Sequence, residues 1–207
     1  MVKLYHVPGS RSARVLWLLL ELGIEHEVVR LSMADGSQRS PEYLAINPLG
    51  RVPSLEDEGQ TFYESGAIVQ YLLERYGEGR FEPPVGSVER PRYLQWFHWG
   101  EATLLPPIVT MNSHRFVLKE ADRSEKAVDV ARRQLARILA VLESEVAGRA
   151  FLVGDAFTAA DIMVGYGVTL AKLVGELPDD VPAVHAWLDG LAARPAYERA
   201  LRGGFAG

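Results

Sequence analysis

Asn47-Pro48-Leu49-Gly50-Arg51-Val52-Pro53 is the stretch from which the fold of this 207-residue chain is read. Two prolines and a glycine make it a turn, and Pro53 stands inside a β-prone run from Val52 to Leu55. A proline at a strand entry cannot donate to the sheet ladder, and in such a turn its peptide bond is a candidate for cis. Downstream, Glu56-Asp57-Glu58-Gly59-Gln60 is a polar turn and Thr61 to Tyr63 a second β-prone run, so the two runs form a hairpin. Upstream, Pro41 to Ile46 reads as a short helix and His26 to Leu31 as a strand. Ser10 to Leu22 reads as a helix with Val15, Leu16, Leu18, Leu19 and Leu22 apolar, ended by Gly23, and Val2 to Val7 as a strand. A strand, helix and strand in succession imply a parallel pair with a right-handed crossover. Ser65 to Tyr76 closes the region as a helix with Ile68, Val69, Leu72 and Leu73 inward.

Beyond it, Gly77-Glu78-Gly79-Arg80-Phe81-Glu82-Pro83-Pro84-Val85-Gly86 is dense in glycine and proline and reads as a linker. Residues 87–207 then read almost wholly as helix. A long helix from Val88 to Leu105 is expected to kink or break at Pro106-Pro107. Asp122 and Glu125 suit a capping box before the periodic run Ala127, Ala131, Leu135, Ile138, Leu142 and Val146. Helices follow over Thr158 to Val174, Pro182 to Ala193 and Pro195 to Leu201. The reading is thus an α/β domain over residues 1–81 and an all-helical domain over residues 87–207.

Composition excludes several classes. There is no cysteine, so disulfides, thiolate–metal sites and mechanisms with a protein thiol are ruled out. The net charge of −5 argues against a dedicated nucleic-acid binder. The longest apolar run, Val15 to Leu20, is too short to span a membrane. The apolar stretch after Lys3 breaks at Gly9-Ser10-Arg11, too early for a signal peptide, and a cytoplasmic location is expected. The five histidines (His6, His26, His98, His114 and His185) lack metal-ligand spacing, so structural or surface roles and no metal are expected. Gly165-Tyr166-Gly167 lies mid-helix and reads as packing relief.

Four segments stand out besides. Pro8-Gly9-Ser10-Arg11-Ser12-Ala13-Arg14 lies where the first strand passes into the first helix, the end at which α/β units bind ligands. Ser12 falls within the first helical turn and is expected to bond the local backbone. In Tyr63-Glu64-Ser65-Gly66-Ala67, Ser65 is placed to cap a helix whose positive end suits a carboxylate, and Glu64 beside it suits an ammonium. Such a pair recognises the backbone end of an amino acid. Phe157-Thr158-Ala159-Ala160-Asp161-Ile162 carries a structural capping box, Thr158 with Asp161, and a hydrophobic staple. The turn ending at Pro53 is the fourth.

In this order and at these separations, the segments resemble the glutathione S-transferase family, and Ser10-Arg11-Ser12-Ala13-Arg14-Val15-Leu16-Trp17 looks most like its bacterial and fungal branch. The resemblance implies a thioredoxin-like first domain that binds glutathione and a helical second domain that supplies an electrophile pocket. It implies that Pro53 is the family's cis-proline, that the Val52 backbone pairs with the cysteinyl unit, and that Glu64 and Ser65 hold the γ-glutamyl end. It further implies that Arg51 and Arg11 lie near the ligand and that Ser10 matches the hydroxyl facing the sulfur in serine-type members, with Arg11, Ser12 and Tyr5 as alternatives. Leu104, Pro107, Ile108, Met111 and Tyr166 are candidates for the pocket. The implied activity is conjugation of glutathione to small hydrophobic electrophiles, in detoxification, by a homodimer. The alternatives are another glutathione-dependent enzyme (isomerase, dehalogenase or peroxidase) or a non-catalytic binding protein on the same fold.

Overall fold

The computed structural model describes residues 1–201 and divides the chain into two compact units. Among the described residues, the first comprises Met1–Phe81 together with Ala192–Leu201, the second Glu82–Leu191. The end of the expected helical domain, residues 202–207, lies outside the described residues.

The first unit is built on a mixed sheet. Strand β1 (Val2–His6) is followed by helix α1 (Ser12–Leu22) and by strand β2 (His26–Arg30), which runs parallel to β1. After α2 (Pro41–Ile46), strand β3 (Ser54–Asp57) pairs antiparallel with β1, and β4 (Gln60–Tyr63) antiparallel with β3. Helix α3 (Ser65–Tyr76) completes the order expected from the sequence, and the strands lie as β2-β1-β3-β4. β3 begins two residues later than its β-prone run, because Pro53 has no N–H for the ladder. Alternation along β1 separates its side chains by face. Leu4 lies in the buried core with Val15, Leu18 and Leu19 of α1 and Ile68 and Leu72 of α3. Burial of each such side chain contributes about 1.5–3 kcal/mol.

The second unit is helical. Its long first helix runs as α4 (Arg90–Trp99), a π turn over Gly100–Leu104, α5 (Leu105–Asn112) and a second π turn over Ser113–Val117. Pro106 and Pro107 do not break it; of the kink or break expected there, the helix shows a π turn directly before the pair. They fall in the first turn of α5, where a missing N–H costs least. Helix α6 (Glu125–Val146) is capped by Ser124, whose Oγ accepts the Ala127 N–H at 3.2 Å. The expected Asp122–Glu125 box does not form: Ser124 directly precedes the helix, and Asp122 ends a 3-10 turn over Glu120–Asp122. Helix α7 (Ala159–Leu173) is buried along nearly its whole length. A Cβ on Gly167 would lie 2.5 Å from Leu104 Cδ2, and one on Gly100 2.7 Å from the Met163 backbone, so both glycines serve close packing. Helix α8 (Pro182–Ala192) starts on Glu143, whose two carboxylate oxygens accept the Ala183 and Val184 N–H groups at 2.9 Å each.

The last helix, α9 (Pro195–Leu201), belongs with the first unit rather than with the helical one. The Tyr197 ring stands edge-on to Trp17 at 5.0 Å, and Arg194 forks onto both oxygens of the nearly buried Glu21 at 2.7 Å each.

Candidate glutathione site

The sheet register brings three of the four segments to one end of the first unit. Tyr5 of β1 stands opposite Ser54 of β3, and Ser54 opposite Tyr63 of β4. The loop from Val7 to Arg11, the turn before Ser54 and the Glu64-Ser65 pair after Tyr63 all leave this row on the same side.

The turn before β3 is held from within. Asn47 and Tyr43, both buried, donate to the Arg51 carbonyl from Nδ2 at 2.7 Å and from the hydroxyl at 2.6 Å. Asn47 Oδ1 also accepts the Leu49 N–H at 3.1 Å. The Val52–Pro53 peptide bond is cis, as the turn chemistry suggested. Pro53 is buried, Val52 half-buried and Arg51 exposed.

Ser65 is the first residue of α3 and not its cap. The cap position belongs to Glu64, which holds a left-handed backbone at φ 80° and makes no side-chain capping bond. A non-glycine residue in this region is uncommon and marks a constrained site. The exposed Glu64 carboxylate and the first backbone N–H groups of α3 thus stand side by side. The fully buried Arg14 of α1 donates from Nη1 to Ser65 Oγ at 3.2 Å, which sets a permanent positive charge behind the helix start. A carboxylate is favoured there by hydrogen-bond donors, helix dipole and charge together.

The hydroxyls at the end of β1 form one network. Ser10, half-buried, donates from Oγ to the Val7 carbonyl at 2.8 Å and lies 2.7 Å from Ser12 Oγ. The Ser12 N–H donates to Ser10 Oγ at 3.2 Å. Ser12 bonds the local backbone as expected, accepting the Val7 N–H at 3.2 Å, and it also lies 2.7 Å from His6 Nδ1. Burial and the Arg30 charge, opposite His6 in the sheet, lower the imidazole from 6.5 to about 4, so the ring is neutral at pH 7. α1 begins at Ser12, which leaves Ser10 in the loop and Arg11 at the cap position.

Tyr5 is not a thiol-facing hydroxyl. Its phenol donates to Glu56 Oε1 at 2.6 Å and its ring lies 5.4 Å from Tyr43, on the face away from His6. Burial and the Glu56 carboxylate push its ionisation far above the ordinary range.

Leu104, Pro107, Ile108, Met111 and Tyr166 are corrected as pocket-lining residues. All five are buried in the helical unit, Leu104 against Gly167. A side chain without exposed surface offers a ligand nothing, so these five are core. Thr158 and Asp161 form the expected capping box: Asp161 Oδ2 accepts the Thr158 N–H at 2.9 Å and Oδ1 the Leu152 N–H at 2.9 Å.

From the sequence His6 carries only the structural or surface role expected of all five histidines, Arg14 and Asn47 stand inside segments marked for other residues, and Tyr43 carries no signal. For His6 a signal was available: it shares the parity of Val2 and Leu4, which places it on the helix side at the strand's open end.

Two family models match the chain: the glutathione S-transferase N-terminal domain over residues 1–74 and the C-terminal domain over residues 103–195. Glutathione S-transferase 4 of Zea mays is 33% identical over 198 residues, covering 90% of this chain and 85% of the relative. The chain belongs to the glutathione S-transferase family. Its thioredoxin-like first unit and helical second unit match solved members of that family. Glutathione S-transferase 3 of Schizosaccharomyces pombe is 28% identical over 208 residues, covering 95% of this chain and 85% of the relative. Among solved structures, the glutathione transferase URE2P6 of Phanerochaete chrysosporium, in complex with oxidized glutathione, matches with a TM-score of 0.84. It is 30% identical, with 96% of this chain and 94% of that chain covered. Ure2p in complex with glutathione matches at a TM-score of 0.83 and 25% identity, with 97% and 98% covered.

Proposed function

We propose that this protein conjugates glutathione to small hydrophobic electrophiles. The observation that carries the reading is the meeting of three segments at one end of the sheet: the Ser10 loop, the Val52-Pro53 turn and the Glu64-Ser65 helix start. In this reading the Val52 backbone pairs with the cysteinyl unit as an added strand. Glu64 takes the ammonium and Ser65 with the α3 N–H groups the carboxylate of the γ-glutamyl end, while Arg51 and Arg11 flank the tripeptide. Ser10 faces the sulfur.

The chemistry asked of the site is thiol activation. A free thiol of pKa about 8.5 is only ~3% thiolate at pH 7. Lowering it to about 6.5 takes about 2.7 kcal/mol of selective stabilisation of the anion. The Ser10 hydroxyl, turned from the Val7 carbonyl to the sulfur, and the amide end of α1 supply donors of that order. The thiolate then adds to the electrophile or displaces its leaving group. A homodimer in the cytoplasm, working in detoxification, belongs to the same reading and is supported by the family alone.

The test is the bound thiol's titration, followed by thiolate absorbance. In Ser10→Ala the apparent thiol pKa should rise by about one unit or more, which is ~1.4 kcal/mol, with conjugation at neutral pH falling in step and binding little changed. An unshifted pKa removes Ser10 from the mechanism and moves the role to Arg11 or the helix end. Tight binding with no conjugation of any electrophile tried would instead favour the non-catalytic reading. An assay across electrophiles, organic halides, isomerisable ketones and hydroperoxides separates conjugation from the other glutathione-dependent reactions.

A further inference from the structure

We propose that His6 is a positioning residue for the Ser10 hydroxyl, through a chain of hydrogen bonds in which Ser12 is the middle link. The proposal rests on the reading of Ser10 as the donor to sulfur.

The argument is proton counting. Each serine hydroxyl carries one proton. Ser12 Oγ makes two short contacts, 2.7 Å to Ser10 Oγ and 2.7 Å to His6 Nδ1, and it already accepts the Val7 N–H. Its single proton can serve only one of the two short contacts, so the partner must supply the other. The Val7 carbonyl is a third acceptor, 2.8 Å from Ser10 Oγ and 3.1 Å from Ser12 Oγ, and takes whichever proton the two short contacts leave over. When His6 Nδ1 is bare, Ser12 donates to it, and Ser10 turns its proton inward to Ser12. When Nδ1 carries hydrogen, the ring donates to Ser12 and Ser12 donates to Ser10. The Ser10 proton is then released from Ser12, to the Val7 carbonyl at 2.8 Å or, when glutathione is bound, outward to where the sulfur would lie. The direction of the whole chain is therefore set at the ring.

The surroundings favour such a chain over a loose cluster. His6 is 3% exposed and Ser12 0%, so no bulk water competes along it, while Ser10 at its open end is half-buried. Hydrogen bonds in series inside a protein also strengthen one another. His6 follows Tyr5, whose partner across the sheet is Ser54, so the chain of bonds lies at the end of the sheet where the turn that would hold the cysteinyl unit enters β3. Arg30, the cation opposite His6, opposes protonation of the ring, so the variable is its tautomer and not its charge.

The test compares the bound thiol's titration in the wild type, Ser10→Ala, Ser12→Ala, His6→Leu and His6→Asn. The Asn amide nitrogen occupies the same place along the side chain as Nδ1 and carries hydrogen, so it preserves the outward direction. Ser12→Ala and His6→Leu should each raise the thiol pKa by about 0.5 unit or more, roughly a threefold loss of thiolate at a fixed pH below it. His6→Asn should return the pKa to the wild-type value. Affinity for S-methylglutathione, which has no ionisable thiol, should be the same in all of them. A shift in Ser10→Ala with none in Ser12→Ala and His6→Leu overturns the chain alone; no shift in Ser10→Ala overturns the reading beneath it. Should His6→Leu fail to fold, nitrogen NMR of the wild-type ring decides. Glutathione, and not S-methylglutathione, should move His6 to the tautomer protonated at Nδ1, and an unmoved ring refutes the proposal.

Discussion

The Arg14 guanidinium donates to the Ser65 hydroxyl at 3.2 Å and ties the first turn of α1 to the first residue of α3. The bond fixes the polarity of that hydroxyl. With Ser65 Oγ accepting from Arg14, its own proton is left to donate to an incoming carboxylate. Ser65→Ala removes this donor. A hydrogen bond to a charged group is worth about 1.5–3 kcal/mol, so the glutathione dissociation constant should rise roughly 10- to 150-fold. Calorimetry reads this directly, and an unchanged constant would mean the carboxylate lies elsewhere.

How far the sequence carried this reading depended on the reach of each interaction. The Thr158–Asp161 box was legible because a cap works over three residues. The turn at Pro53 was legible because proline and glycine act on their own backbone. Ser65 was placed one position early as a cap, since nothing local announces that Glu64 takes the left-handed backbone. Pro106 and Pro107 read as a kink or a break, with nothing to choose between them, because the π turn before them, which leaves them in a first turn, has no sequence signature. Arg14 meets Ser65 across 51 residues, and His6 meets Ser12 by a turn from strand to helix. Both contacts depend on the sheet and helix being in place, so neither follows from spacing. The five apolar residues offered for an electrophile pocket carry the same helical period whether they face a ligand or a core, and burial alone decided between the two.

Tyr43 and Asn47 should prove coupled. Both donate to the Arg51 carbonyl, so either one alone still satisfies it. Asn47→Ala also strands the Leu49 N–H and should cost about 1–3 kcal/mol. Tyr43→Phe with Asn47→Ala leaves the carbonyl without either donor, and the double variant should lose about 0.5–3 kcal/mol more than the sum of the singles. Denaturant midpoints of the four proteins measure the coupling, and simple additivity would show that the carbonyl is served by solvent.

Asp161→Ala should destabilise the helical unit by about 2 kcal/mol or more, because it leaves the buried Leu152 and Thr158 N–H groups without their acceptor. Glutathione affinity of the folded protein should be unchanged. Were affinity to fall while the melting point held, Asp161 would be a site residue and not a cap. Its titration adds a second signature. Burial pushes the carboxyl up to about 6, while the Leu152 and Thr158 bonds hold it back. A folded pKa above the unfolded 3.8 means the folded state holds the proton better, so this residue's contribution to stability rises as pH falls from about 7 toward 4.

His6 acts with the opposite sign, and the two must be separated by variants. Its folded pKa is lowered from 6.5 to about 4, first by burial and then by Arg30. Between those values the unfolded chain binds a proton that the folded protein refuses. Stability contributed by the neutral ring is therefore full above pH 6.5 and is lost as pH falls through 4. A displacement of this size corresponds to about 3 kcal/mol. Over pH 4–6 the Asp161 gain partly masks the loss, so the wild-type profile alone is a poor guide. The informative quantity is the difference in unfolding free energy between wild type and His6→Asn, which cannot titrate at this position. That difference should shift against the wild type by up to about 3 kcal/mol between pH 7 and pH 4. A difference that stays level across the window would show that His6 is not held neutral, and the tautomer-controlled chain to Ser10 would lose its premise.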